Sequence, residues 1–281
     1  MGMQSGPRYS NRLSFIRLGS ELSLVWRWAV QRHLSSCSRN RAKGPARTMT
    51  NFDVARQNMV DSQIRTNKVT DEGIVEALRS VPRHLFVPQS KRAIAYRDDP
   101  IEVMNGRCLP SPMVAARLYQ LAEVGAADLV LVVGATTGYG ASILGRIASA
   151  VVALEEDPDL CAAAKELEAG ENSEASGDNI FLAEGPLCDG WQKQAPYDAI
   201  IVEGAIESIP ETLLDQLAPN GRLVCVVRPA GTPGRAVKLT KSSGGVAKTE
   251  AFDAMLPVLP GCASEQEFAL CPPKPRDGWP P

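Results

Sequence analysis

The chain has 281 residues, 44% of them apolar and 22% charged, which is ordinary for a globular protein with a sizeable core. Its net charge of −2 is unevenly divided, because residues 1–49 hold nine basic residues and one acid, and the remainder holds 21 basic residues and 31 acids. A body this acidic is not expected to bind nucleic acid through bulk charge. Two histidines, and seven cysteines without a Cys-x-x-Cys pair, argue against histidine triads, zinc sites and a disulfide framework.

The amino-terminal extension, residues 1–48, is rich in Arg and Ser and almost free of acids. Residues 22–34 place apolar side chains at helical spacing, with Arg27 and Arg32 among them. This composition is typical of a mitochondrial or plastid transit peptide, and we expect the protein in the mitochondrial matrix. The alternatives are a disordered tail, or translation from Met49, which would give a cytoplasmic protein. No apolar run is long enough to span a membrane.

The next segment, residues 49–124, is predicted to be helical around a substrate loop. Apolar residues at helical spacing predict helices over 51–66 and 112–124, and a third helix opens at Asp71. Residues 89–111 are predicted to be irregular.

Strands and helices alternate in the following domain, residues 125–270. The strands are predicted at 129–133, 150–154, 179–183, 198–202 and 222–227, and the helices at 138–148, 158–168 and 210–218. Nearly continuous Val, Ile and Leu strands joined by helices indicate a doubly wound, mostly parallel α/β sheet covered on both faces. Beyond Pro233 the pattern suggests an antiparallel edge, and the Pro-rich residues 271–281 are predicted to be disordered.

A glycine-rich turn follows the first of these strands, with glycines at 134, 138 and 140. Thr136 stands where a dinucleotide fingerprint needs its second glycine, so the turn fits S-adenosylmethionine better than a dinucleotide. Glu155 ends the next strand, where an acid usually takes ribose hydroxyls, and Glu184 ends the third. The alternative is a plain βα turn without a ligand. The candidate cofactor residues are Gly134, Ala135, Thr136, Thr137, Gly138, Glu155, Glu156, Glu184 and Gly185.

Four blocks of sequence resemble the protein-L-isoaspartate O-methyltransferase family, in an alphaproteobacterial-like branch. They are the Val-Pro-Arg-His-Leu-Phe-Val-Pro run at 81–88, the loop at 106–116, the turn at 130–139 and the stretch at 190–202. The resemblance covers about residues 51–270. It implies a Rossmann-like fold of the S-adenosylmethionine-dependent methyltransferase type with an amino-terminal helical segment.

The resemblance also implies methyl transfer from S-adenosylmethionine to the α-carboxylate of isoaspartyl residues, a step in protein repair. The partners would be damaged proteins or peptides, and we expect a monomer. A carboxylate is already a nucleophile, so catalysis can rest on positioning the oxygen and the methyl carbon in line.

The substrate loop reads Gly-Arg-Cys-Leu-Pro-Ser-Pro from residue 106, where the family has Gly-Gln-Thr-Ile-Ser-Gln-Pro. Pro110 takes the place of the family's serine, and Ser111 is the candidate catalytic hydroxyl, one residue late. Candidate substrate contacts are Arg107, Pro110 and Met113. In the turn, Thr136 replaces a glycine, and on the preceding strand Val132 replaces an acid.

Several alternatives stay open from the residues alone. Ser111 can cap the helix that starts at Pro112, which we favour over catalysis. Arg107 is either a solvated loop charge or a fork for a substrate carboxylate. His84, between two prolines, is expected to be structural. The whole protein can also be a methyltransferase for another acceptor, or a non-catalytic binding or assembly subunit.

Overall fold

The computed structural model describes residues 51–170 and 175–263. The predicted transit peptide, the middle of the polar loop at 170–178 and the Pro-rich tail lie outside the described residues.

Three α-helices form the amino-terminal segment, as predicted. They are α1 (Asn51–Met59), which continues through a π-helical turn (Val60–Ile64) and a 3₁₀ turn (Arg65–Asn67), α2 (Glu72–Ser80) and α3 (Pro112–Ala122). Helix α2 begins where the sequence indicates, because the Asp71 side chain accepts a hydrogen bond from the Ile74 N–H at 3.0 Å. Such a cap typically stabilises a helix by about 1 kcal/mol.

The prediction that residues 89–111 are irregular is wrong. Between short 3₁₀ turns at Arg83–Leu85 and Gln89–Ile94 and helix α3, the chain forms an antiparallel hairpin of β1 (Ile101–Met104) and β2 (Arg107–Leu109). Its turn is Asn105-Gly106, with φ of 49° and 75°. An Asn-Gly pair favours these left-handed conformations, so the sequence carried a hairpin signal.

The other seven strands make one sheet in the order β5-β4-β3-β6-β7-β8-β9, parallel from β5 to β7 and antiparallel at β8 and β9. The strands are β3 (Leu129–Val133), β4 (Ala150–Glu155), β5 (Ile180–Glu184), β6 (Tyr197–Ile206), β7 (Leu217–Val227), β8 (Arg235–Ser242) and β9 (Gly245–Asp253). The predicted parallel sheet with an antiparallel edge is confirmed.

The connecting helices are α4 (Tyr139–Gly145), α5 (Pro158–Ala169) and α6 (Glu211–Asp215). Helix α6 is shorter than the predicted 210–218, because Leu217 already pairs with Tyr197 of β6. Gln192–Gln194 forms a further 3₁₀ turn.

Strand order reverses between β3 and β6, and the carboxyl ends of β3, β4 and β6 meet there. In an open α/β sheet this is where a crevice for ligands forms. The amino-terminal segment packs on one face of the sheet, where Leu78 and Leu118 share a core with Val130 and Val132. A second core, including Leu131 and Ile200, covers the other face.

The segment after β9 returns to the sheet. Val258 forms a parallel bridge with Ala205 of β6, and Leu259 N–H donates to the Ala205 carbonyl at 2.8 Å. Cys262 then forms a disulfide with Cys188, so the expectation of no disulfide framework is wrong. The two cysteines are 74 residues apart in sequence, and only the fold brings their Cα atoms within 5.8 Å.

Within residues 51–170 and 175–263, no helix combines the length and apolar character needed to cross a bilayer.

Candidate active site

The glycine turn lies between β3 and α4, as predicted. Gly134, Thr136 and Gly138 have φ of 79°, 51° and 90°. Gly134 and Ala135 both donate their N–H groups to the Leu154 carbonyl, which holds the turn against β4. Thr136 is the unusual member, because a β-branched residue rarely adopts a left-handed conformation.

Thr137 has a structural bond of its own. Its Oγ1 donates to the Phe86 carbonyl at 2.6 Å, and the side chain is buried. The bond ties the turn to the Val-Pro-Arg-His-Leu-Phe-Val-Pro run.

His84 in that run stacks on Phe52, with ring centroids 4.1 Å apart, and its Nδ1 shares a hydrogen bond with the Tyr96 hydroxyl at 2.8 Å. The expected structural role of His84 is confirmed.

Glu155 lies beside the turn at the end of β4, and its carboxylate accepts four hydrogen bonds. One oxygen accepts from Arg107 Nη1 at 2.5 Å and from the N–H groups of Glu156 and Asp157, and the other accepts from the Thr136 N–H at 2.8 Å. The first oxygen thus has more donors than its two lone pairs, and the second keeps one lone pair. In this arrangement Glu155 can accept one further hydrogen bond, through Oε2.

Arg107 is 7% exposed, so the interpretation as a solvated loop charge is wrong. Its guanidinium reaches from β2 to Glu155 and packs on the turn, where a Cβ added to Gly134 would lie 2.9 Å from Nη2. A side chain at 134 would therefore press on the guanidinium, and the φ of 79° is a separate reason for glycine at this position. The Nη2 atom has no hydrogen-bond partner among the described residues.

The other predicted cofactor acids border an open groove of about 710 Å³ at the ends of β4 and β5. Glu156, Glu184 and Gly185 line it, and Glu184 lies beside Glu155 in the sheet register. Asn105 at the hairpin tip reaches this groove and donates to Asp157 Oδ2 at 2.7 Å.

The substrate loop differs from expectation at Ser111. This residue holds the amino-terminal cap position of α3, yet its side chain makes no capping hydrogen bond. Asp98 accepts from the Met113 N–H instead, at 3.0 Å. The favoured capping role of the Ser111 side chain is therefore wrong. Pro110 contributes its carbonyl to Arg83 Nη2 at 2.7 Å.

A buried acid that was not among the predicted site residues completes the site. Glu203 is 2% exposed in the carboxyl-terminal half of β6, directly after the part that pairs with β3, and Tyr119 of α3 donates its hydroxyl to Oε1. Burial raises the pKa of Glu203 to about 7, and burial beside this acid raises the pKa of Tyr119 well above its usual range. The available signal was an acid that directly follows the apolar run at 199–202.

Glu203 also borders a small cavity of about 90 Å³. The hairpin residues 105–108 form one wall of the cavity, Glu203 and Gly204 a second, and residues 256–260 a third. Leu259 of the third wall lies close against Gly134 and Gly204, where added Cβ atoms would crowd it.

Three buried polar atoms around this edge of the sheet lack a hydrogen-bond partner in the part of the chain that the structure describes. They are Arg107 Nη2, Thr136 Oγ1 and Glu203 Oε2. Unpaired buried polar groups are costly, and together they offer both donors and an acceptor. Such atoms can bind the charged and polar groups of a ligand, whether the amino-acid end of S-adenosylmethionine or the carboxylate of an acceptor. The ribose hydroxyls would meet Glu155 with fewer competing donors once Arg107 releases it.

Comparison with known proteins agrees with this site. A family model described as protein-L-isoaspartate(D-aspartate) O-methyltransferase matches residues 54–258. A protein-L-isoaspartate O-methyltransferase of Methanoculleus marisnigri is 37% identical over 191 residues, which cover 68% of this chain and 84% of the relative. One of Geobacter metallireducens is 37% identical over 177 residues, 63% of this chain and 80% of the relative.

Two solved structures share the fold at 21% identity. One, named protein-L-isoaspartate O-methyltransferase, has a TM-score of 0.65 and covers 74% of this chain and 67% of that chain. The other, from Plasmodium falciparum, is named as a probable member of the same family in complex with S-adenosyl-L-homocysteine. It has a TM-score of 0.62 and covers 75% of this chain and 99% of that chain.

Proposed function

The chain belongs to the protein-L-isoaspartate O-methyltransferase family, and we propose that it methylates the α-carboxylate of L-isoaspartyl residues in damaged proteins, using S-adenosylmethionine. The observation that carries this proposal is the extent of the family match. Residues 54–258 include the glycine turn, Glu155, the substrate loop and Glu203, so the match covers the whole site.

The cofactor supplies an electrophilic methyl group on a sulfonium sulfur. Backbone groups of the turn at 134–138 would hold it, with Glu184 and Gly185 bordering the groove alongside. Glu155 would take its ribose once Arg107 has left. All of these residues lie at the carboxyl ends of β3, β4 and β5, where such folds bind nucleotides.

The acceptor needs little chemical help, because an ionised carboxylate attacks without a general base. What the chain must do is orient the carboxylate and keep water away. Pro110 has no hydroxyl for this task. Arg107, three residues earlier in the same loop, is the cation that can hold a carboxylate.

A second candidate function is favoured by the state of Glu155. Its four hydrogen bonds, together with the missing hydroxyl at Pro110, suit a member of the family with altered catalysis. Such a protein would bind the cofactor and act on another acceptor, or serve as a binding factor.

Transfer of a radiolabelled methyl group to an isoaspartyl peptide, with the aspartyl peptide as control, separates these functions. The proposal expects label only on the isoaspartyl peptide. Cofactor binding by calorimetry without such transfer would favour altered catalysis. Absence of both would leave a binding factor.

We also infer a mitochondrial matrix location and a monomeric state. The location is supported by the composition of residues 1–48, and a fusion of these residues to a fluorescent protein tests it. Diffuse cytoplasmic fluorescence would contradict it. The molar mass from light scattering coupled to gel filtration tests the monomeric state.

A further inference from the structure

We propose that the 90 Å³ cavity beside Glu203 binds the substrate's α-carboxylate through Arg107, and that the move of Arg107 away from Glu155 couples substrate binding to cofactor binding. The inference rests on the proposed function for the identity of the carboxylate. It adds a carboxylate site and a reason for the two ligands to bind cooperatively.

The positive charge of the site comes from Arg107. This side chain borders the cavity, is buried, and uses Nη1 for Glu155 while Nη2 has no partner within the described residues. A guanidinium prefers to hold a carboxylate with two parallel N–H groups. The present pairing with Glu155 through Nη1 alone leaves that preference unmet.

A second donor comes from Glu203 on the opposite wall. Its Oε1 accepts from Tyr119, and its Oε2 lacks a partner in the described part of the chain. Burial raises the pKa of Glu203 to about 7, so below that pH Oε2 carries a proton that a carboxylate can accept. The titratable or charged groups around Glu203 are Arg83, Arg107, Tyr119, Tyr139 and Glu155.

The size of the cavity suits a small anionic group. Its volume of about 90 Å³ is several times the roughly 10–15 Å³ that one water molecule needs in such a cavity. The third wall, Leu256 to Pro260, is apolar apart from its backbone. A carboxylate held there therefore depends on Arg107 and Glu203 for its hydrogen bonds.

Coupling follows from competition for one guanidinium. Glu155 and the substrate carboxylate both need Arg107. While Glu155 holds it, Oε1 carries three donors and only Oε2 keeps a lone pair for ribose. A substrate that takes Arg107 removes the shortest of the three bonds to Oε1 and leaves the charge of Glu155 for the ribose hydroxyls. Linkage is reciprocal, so each ligand must raise the affinity for the other by the same factor.

The test is calorimetric titration of the full chain with S-adenosylhomocysteine, which carries no methyl group and cannot turn over. We expect saturating isoaspartyl peptide to lower its Kd about tenfold at pH 6.5, within the usual range of coupling energies. The aspartyl peptide should have no effect. Equal Kd values with and without isoaspartyl peptide would overturn the proposal.

Arg107→Gln supplies the second arm. Without peptide, this variant should bind S-adenosylhomocysteine more tightly than the wild type, and peptide should no longer change the Kd. Arg65→Gln is the matched control, because Arg65 pairs with Glu72 on the surface, far along the chain from the loop. Coupling that persists in Arg107→Gln contradicts the inference.

Glu203→Gln tests the second donor. Peptide affinity of the wild type should fall as pH rises through about 7, whereas the amide variant should keep its affinity. A wild-type profile that matches the variant would remove Glu203 from the site. Methyl transfer without any coupling overturns this inference alone, and failure of every protein to bind S-adenosylhomocysteine overturns the proposed function with it.

Discussion

The carboxyl-terminal halves of β4 and β6 each bury a glutamate to the same degree, 2% exposed, yet their surroundings differ. Glu155 receives three backbone N–H bonds and an arginine. Glu203 receives one tyrosine hydroxyl, and its other oxygen has no partner in the described residues. Equal burial thus gives an ion pair on one strand and a proton-holding acid on the other. The two glutamates differ in their hydrogen-bond partners and not in how deeply they are buried.

The largest expected effect comes from breaking the ion pair between Arg107 and Glu155. Arg107→Ala leaves Glu155 buried beside its three backbone donors without a countercharge, and breaking a buried pair costs about 3–5 kcal/mol. Urea denaturation at pH 7 measures the loss in the free energy of unfolding. The surface variant Arg65→Ala should lose less than about 1 kcal/mol. Similar losses of unfolding free energy in the two variants would mean that the buried Glu155 pair stabilises the protein no more than the surface pair.

The surroundings of Glu203 are tested by the pH dependence of stability. Because the folded pKa of Glu203 is raised from 4.5 to about 7, its contribution to stability is fully present below pH 4.5 and is lost as pH rises through about 7. The loss is at most about 3 kcal/mol. Glu203→Gln should therefore be more stable than the wild type at pH 8, and the gap should close at pH 5. A gap that is constant with pH would contradict the raised pKa.

A smaller effect sharpens the role of Tyr119. Tyr119→Phe removes the only hydrogen bond that the described residues give to the Glu203 carboxyl, at a cost of about 1–3 kcal/mol. Since that bond lowers the pKa of Glu203, the variant should lose more stability at pH 8 than at pH 5. Denaturation at both pH values checks this, and Tyr96→Phe, at a partly buried hydroxyl, is the control. Equal losses at the two pH values would exclude the coupling.

The smallest effect concerns the hairpin that delivers Arg107. Gly106→Ala should cost about 1 kcal/mol, because φ is 75° and an added Cβ meets nothing within 4 Å, so backbone strain acts alone. Gly244→Ala, also in open space, has no positive φ and should change stability little. Thermal melting compares the two. Equal shifts would rule out the strain.

The parallel sheet was predictable because its strands are nearly continuous apolar runs, and the cofactor turn because β3 runs directly into three glycines. The hairpin was missed although Asn105-Gly106 marks it. Other features depend on contacts distant in sequence. Arg107 meets Glu155 across 48 residues, and Asp98 replaces Ser111 as the cap of α3 across 15. No local pattern encodes such partners, so the pairing of Glu155 with Arg107 could not be predicted from the sequence.

The hairpin stands apart from the main sheet, since β1 and β2 pair with each other and with none of the other described strands. Arg107 can therefore leave Glu155 without breaking a bond of the seven-stranded ladder. The cost is the ion pair itself and side-chain contacts such as that of Asn105 with Asp157. Ligand entry would then wait for a local opening. In stopped-flow experiments the observed rate of S-adenosylhomocysteine binding should level off at high ligand concentration, and Asn105→Ala should raise that plateau.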